Sequence, residues 1–141
     1  MKTDSVGVRF AYEHDVEWLV AQERHIGRDV VADKVAREEF LVAELAGEPI
    51  GWLRWSYFWD EIPFMNLLFI IEPLRGRAHG RVLVDEWECV MRARGHRRLL
   101  TSTLSDERAQ HFYRRLGYRD AGALLLPGEA LEILFMKELD R

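Results

Sequence analysis

The sequence predicts an α+β fold in three layers, with a mixed, largely antiparallel central sheet flanked by helices. Three observations carry this. Strand-like runs bounded by turn residues stand near both ends of the chain, amphipathic helical stretches interleave with strands in the middle, and residues 64–71 form a nearly all-apolar run suited to a strand covered on both faces. At 141 residues the chain is long enough for one substantial core, and no repeat or Pro/Gly/Ser linker divides it. One domain over residues 1–141 is the expected organisation.

The elements follow in order. Val6 to Phe10 reads as a first strand, and Asp15 stands where it can cap a helix carrying Val16, Leu19 and Val20 ahead of Gly27. A second, more charged helix is expected over residues 29–39. Phe40 to Leu45 then reads as a strand, with Gly47-Glu48-Pro49 as a hairpin turn into a strand over residues 50–57. Beyond the apolar run, Gly80, Leu83, Val84, Trp87, Val90 and Met91 make one helical stripe that leaves Arg81, Asp85, Glu88 and Arg92 off it. Gly95 ends that helix. Residues 98–103 are strand-like, Ser105 or Asp106 can cap a helix bearing Ala109, Phe112, Tyr113 and Leu116, and two strands over 121–126 and 131–136 meet at Pro127-Gly128.

The passage from Leu67 to Leu83 is the most informative. An apolar strand stops at Pro73, enters a basic turn containing Gly76, and opens a helix. The first N–H groups of a helix have no intrahelical partner, and the macrodipole there favours negative charge. Arg75, Arg77 and Arg81 add positive charge at the same place, so the physical reading is a phosphate or pyrophosphate site. The alternative is an ordinary strand-to-helix turn with exposed arginines.

Composition narrows the partners. The net charge of −4 argues against a general nucleic-acid binder, although the basic run at residues 92–98 keeps a small nucleic-acid-binding domain in view as a rival. One cysteine excludes an internal disulfide and a cysteine-based zinc site, and the five histidines show no H-x-x-x-H pair, so no metal is expected. Met1 to Ser5 lacks the apolar stretch of a leader, and no apolar run is long enough to span a bilayer, so a cytoplasmic location and no membrane partner are expected.

Two motifs then become a resemblance. Arg75-Gly76-Arg77-Ala78-His79-Gly80 is similar to the acetyl-CoA pyrophosphate loop of the GNAT acetyltransferase superfamily, Arg/Gln-x-x-Gly-x-Gly/Ala. The run from Asp106 to Tyr118 is similar to that family's N-x-x-A-x-x-[hydrophobic]-Y-x-x-L-G-[FY] helix end, and one helix and one strand intervene as they should. The resemblance implies a GNAT-like acyl-CoA N-acyltransferase fold, acetyl-CoA as cosubstrate, no metal, and transfer of an acetyl group to an amine of a small molecule or peptide by direct attack in a ternary complex. A non-catalytic acyl-CoA-binding regulatory module is the alternative. A homodimer paired through an exposed C-terminal strand stays open.

The same resemblance assigns residues. Phe69, Ile70 and Ile71 offer the backbone N–H for the oxyanion, and Arg75, Gly76, Arg77, Ala78, His79, Gly80 and Arg81 hold the pyrophosphate, with the His79 side chain outward. Asp106 stands where the family has asparagine, and Ala78 replaces a glycine, which is tolerated if its φ is negative. Tyr113 matches the tyrosine near the thioester sulfur, and a phenol with a reference pKa of about 10 can donate to a developing thiolate. The strand has Asn66 where some members carry a base, so Glu61, beside Asp60, is the expected base, while Glu72 is expected to point away from the phosphates. Trp52, Trp55, Tyr57, Phe58 and Trp59 make an aromatic stretch that could receive an aromatic or cationic amine.

Overall fold

The computed structural model describes residues 5–140 and contains a seven-stranded mixed sheet with four helices. The strands are β1 (Val6–Phe10), β2 (Phe40–Leu45), β3 (Glu48–Phe58), β4 (Ile62–Ile70), β5 (Arg98–Leu104), β6 (Arg119–Leu124) and β7 (Glu132–Glu138). The helices are α1 (Val16–Gln22), α2 (Arg28–Ala36), α3 (His79–Ala93) and α4 (Ala109–Arg115). Strand order is β1-β2-β3-β4-β5-β7-β6, with β4 and β5 parallel and the β1–β2, β2–β3, β5–β7 and β6–β7 pairs antiparallel. The segment Met1 to Asp4, part of the stretch expected to lack a leader, lies outside the described residues.

The described residues form two compact units, one made of those up to Trp55 with Leu67–Trp87, the other of Ser56–Asn66 with those from Glu88 onward. In the first, Leu19, Val31, Val35, Phe40, Val42 and Trp52 are buried together, and Trp18, Leu67 and Phe69 pack on them. Trp52 meets Trp18 edge-on at 5.5 Å and Phe69 at 4.4 Å between ring centroids. Gly51 lets β3 lie close against β4, since a Cβ there would sit 2.4 Å from the Phe69 carbonyl oxygen and 2.6 Å from Ile70 Cδ1. No larger residue fits without moving the Phe69–Ile70 backbone.

In the second unit, the aromatic rings of Tyr113, Tyr118 and Phe135 pack together. The ladder between β4 and β5 pairs Phe64 with Leu100 and Met65 with Thr101. β4 itself runs on to Ile70.

Several local expectations are corrected. The first hairpin turns at Ala46 and Gly47, with φ of 53° and 81°, not at Gly47-Glu48-Pro49. Two left-handed residues match the right-handed twist of the flanking strands, and Pro49 lies inside β3 near the irregularity at Ala43/Glu44. Asp15 precedes α1 without a side-chain cap, because its carboxylate accepts from the Tyr12 N–H at 2.6 Å and from Arg9. Ser105 and Asp106 stand in a turn, and α4 begins only at Ala109, with the Gln110 side chain donating to the Ser105 carbonyl at 2.7 Å. Glu88, expected off the apolar stripe of α3, is buried, because Tyr118 and Lys137 give its carboxylate partners there. Cys89, beside Glu88 on α3, is exposed.

Candidate active site

The basic turn lies within the first unit. Beyond β4, residues 72–74 form a single 3₁₀ turn, and Gly76 and Ala78 then take left-handed φ values of 78° and 65° before α3 opens at His79. Ala78 therefore lacks the negative φ under which an alanine replaces glycine without strain. A left-handed φ costs an alanine about 1–2 kcal/mol, because its Cβ crowds the following carbonyl oxygen. Leu83, Val84 and Trp87 are buried on the inner face of α3. Arg77 and Arg81 are exposed, and Arg81 lies 3.8 Å from Asp85 one turn along. Gly76 and Ala78 thus take left-handed φ just ahead of the fifteen-residue α3, whose first N–H groups have no intrahelical partner.

Arg75 is placed differently from its neighbours in the turn. Its Nε donates to the Ile70 carbonyl at 2.7 Å, and its guanidinium stands over the Phe69 ring at 5.1 Å. It thereby lines an open cleft of about 450 Å³ in the same unit. Glu23, Arg24 and His25 come to this cleft from the α1–α2 loop, Trp52 from β3, Leu67 and Phe69 from β4, and Ile71 and Glu72 from the segment beyond it. Glu72 faces this cleft.

The three backbone candidates separate on hydrogen bonding. The Ile71 N–H donates to the Ile50 carbonyl at 2.9 Å, so it is occupied. The Phe69 carbonyl faces Gly51 on β3. Alternation along a strand therefore turns the N–H of Ile70 away from β3.

Glu23 and His25 were not singled out by sequence. The carboxylate of Glu23 is fully enclosed, and its Oε2 accepts from Arg54 Nε at 3.0 Å. Its Oε1 lies 2.9 Å from the His25 backbone N and 3.2 Å from His25 Nδ1. Burial pushes this carboxyl up, but the Arg54 hydrogen bond, the His25 N–H, the Arg54 charge and the His25 ring outweigh burial and hold it below the usual carboxylate range. The His25 side chain is 68% exposed. The available signal was a Glu-x-His triplet between two helices just ahead of Gly27.

Tyr113 lies in the second unit, buried, with its hydroxyl donating to Met65 Sδ at 3.9 Å. Burial pushes the phenol up, a hydrogen bond with Thr101 opposes this, and the Glu107 charge adds to it, bringing the group to about 12. It is a proton donor at neutral pH. Thr101 Oγ1 in turn donates to the Met65 carbonyl at 3.0 Å. Asp106 is exposed in the turn before α4.

Glu61 is exposed in the β3–β4 turn, where its N–H donates to the Phe58 carbonyl at 3.1 Å, and it is not among the residues that line the cleft. The aromatic stretch does not form one wall. Trp52 and Trp55 are buried, β3 ends at Phe58, and Trp59 is exposed in the turn with φ of 56°.

The fold is shared with known proteins. It superposes on Ard1 from Thermoplasma volcanium with a TM-score of 0.83, 18% identity, and coverage of 96% of this chain and 99% of that one. The PaiA N-acetyltransferase from Thermoplasma acidophilum, solved in complex with coenzyme A, gives a TM-score of 0.75 at 15% identity over 95% of this chain and 99% of that one. In sequence, the chain is 27% identical over 82 residues to an uncharacterized N-acetyltransferase of Chlorobaculum tepidum, a match covering 58% of this chain and half the length of that relative. The sequence profile of the acetyltransferase (GNAT) family matches residues 8–118, and the chain belongs to that family.

Proposed function

We propose that the chain is an acetyl-CoA-dependent N-acetyltransferase that acts by direct attack of an amine on the thioester. The observation that carries this reading is the turn at residues 75–81, with two left-handed residues, exposed arginines and the opening amides of a long helix in one basic segment. The pyrophosphate would take the backbone N–H groups of Gly76, Arg77, Ala78, His79, Gly80 and Arg81, with the Arg77 and Arg81 charges beside them. That an N-acetyltransferase of the same fold was solved with coenzyme A supports the assignment.

The remaining roles are those that the family resemblance implies, with Ile70 taken from its three backbone candidates by hydrogen bonding. As the amine's lone pair forms the C–N bond, negative charge grows on the carbonyl oxygen, and the Ile70 N–H is the donor we assign to it. The C–S bond then breaks, and the departing thiolate takes a proton, the role that the family resemblance assigns to Tyr113. The acceptor is a small-molecule or peptide amine. No helix among the described residues is long and apolar enough to cross a membrane, and a cytoplasmic enzyme without nucleic-acid or membrane partners is the reading we adopt.

A non-catalytic acyl-CoA-binding module is favoured by two features, the left-handed Ala78 and the exposed Asp106 outside the α4 cap. Titration calorimetry with acetyl-CoA tests the shared premise. Micromolar binding, weakened tenfold or more in Arg77→Glu, is the expected result. Absence of binding at millimolar acetyl-CoA overturns both readings, and binding without acetylation of any amine selects the module.

A further inference from the structure

We infer that His25 is the general base that deprotonates the acceptor amine, with Glu23 as its positioning residue. This rests on the acetyltransferase reading and names the group that reading lacks. His25 stands at the cleft lined by Leu67 and Phe69 of β4, the strand whose Ile70 N–H is assigned to the oxyanion. A base is useful only where the amine and the thioester carbon meet.

The geometry selects one ring nitrogen. With Nδ1 3.2 Å from Glu23 Oε1, the Nδ1–H donates to the carboxylate and Nε2 carries the lone pair. Glu23 cannot turn away, because Arg54 Nε and the Arg24 and His25 backbone N–H groups also hold it, at 3.0, 3.1 and 2.9 Å. The carboxylate is enclosed and the ring is open, so a fixed negative charge backs an imidazole that a substrate can reach. Nε2 takes a proton from the acceptor ammonium, and the Glu23 charge stabilises the imidazolium. The neutral amine attacks the thioester carbon, C–N forms and C–S breaks, the proton left on the new amide nitrogen restores the acid that protonated the thiolate, and His25 later returns its proton to water. The charged groups around the ring are Glu23 and Arg24 on its own loop, Arg54 on β3, and Glu72 and Arg75 beyond β4.

The test uses the full chain with acetyl-CoA and a panel of amino acids, short peptides and aromatic amines. His25→Gln should lower kcat about 100-fold while the acetyl-CoA Kd stays within twofold of wild type. Glu23→Gln keeps an acceptor for Nδ1–H but removes the charge, so kcat should fall at least tenfold with the amine KM within twofold, and Glu23→Asp should restore part of kcat, a split that a purely structural role would not produce. The inference is overturned if His25→Gln keeps wild-type kcat, if its loss traces to acetyl-CoA affinity, or if wild type binds acetyl-CoA yet acetylates no amine. Failure of wild type to bind acetyl-CoA instead sinks the acetyltransferase reading and this inference with it.

Discussion

Glu23, just beyond α1, and Glu88, within α3, are both buried carboxylates, each satisfied by a cation and further donors, and they have opposite prospects. Glu88 accepts from the Tyr118 hydroxyl at 2.9 Å and from Lys137 Nζ at 2.9 and 3.1 Å, and Lys137 also donates to the Leu116 carbonyl at 2.8 Å. That network ties α3 to β7 and to the turn after α4. Glu23 is held by Arg54, but its fourth donor is an exposed imidazole at a cleft. Burial and pairing alone mark structure. Chemistry enters where the network ends on a protonatable ring that a substrate can reach.

The largest expected effect is on stability, and it separates the two networks by what each leaves behind. Glu23→Ala strands Arg54, whose side chain is only 7% exposed, and a buried charge without its partner costs about 3–5 kcal/mol. Glu88→Ala removes one acceptor from the Tyr118 hydroxyl, and Lys137, 25% exposed, keeps the Leu116 carbonyl, so about 2 kcal/mol is expected. Urea unfolding of the two variants reads both values. Equal losses, or a larger one for Glu88→Ala, would break the comparison.

A smaller effect appears with pH. Glu23 and Asp15 both lie below the usual carboxylate range in the folded chain: burial raises each, but hydrogen bonds and cations outweigh it, chiefly Arg54 for Glu23 and Arg9 for Asp15. A depressed carboxyl contributes stability that is complete above its unfolded value, near pH ~4, and is lost as pH falls through the folded value. Stability should therefore drop below about pH 4. Glu23→Gln and Asp15→Asn should each flatten that limb relative to their own neutral-pH stability. A limb unchanged in both would assign acid unfolding to other groups.

What was legible in the sequence follows from how local each signal is. The α3 stripe and the strand cores repeat at fixed periods, so burial of Leu83, Val84, Trp87 and Met91 was readable, as was the two-motif family pattern. Glu88 escaped because its partners Tyr118 and Lys137 lie 30 and 49 residues away in sequence. The α4 cap was misplaced because Gln110 reaches back to the preceding turn, which no spacing rule encodes. Arg75 counted as one more positive charge until β4 offered it the Phe69 ring and the Ile70 carbonyl. The Glu23–His25 pair was missed for a related reason: its meaning depends on Arg54, 31 residues on, which fixes the carboxylate.

The smallest effect comes from a change that touches no charge and so isolates backbone cost from pairing. Ala78 has φ of 65°, where glycine sits without steric penalty. Ala78→Gly relieves about 1–2 kcal/mol of left-handed strain and gives back part of it through the freer unfolded chain. A net gain of about 0.5–1 kcal/mol in urea unfolding is expected, with the acid limb unchanged because no carboxylate is altered. Removing the methyl also opens the backbone to closer approach by a pyrophosphate, so acetyl-CoA should bind a few-fold tighter. A gain in stability with unchanged affinity would place the pyrophosphate away from residue 78. A loss of stability would mean that the loop holds alanine in this conformation without cost, and that the helix opening was shaped around that methyl.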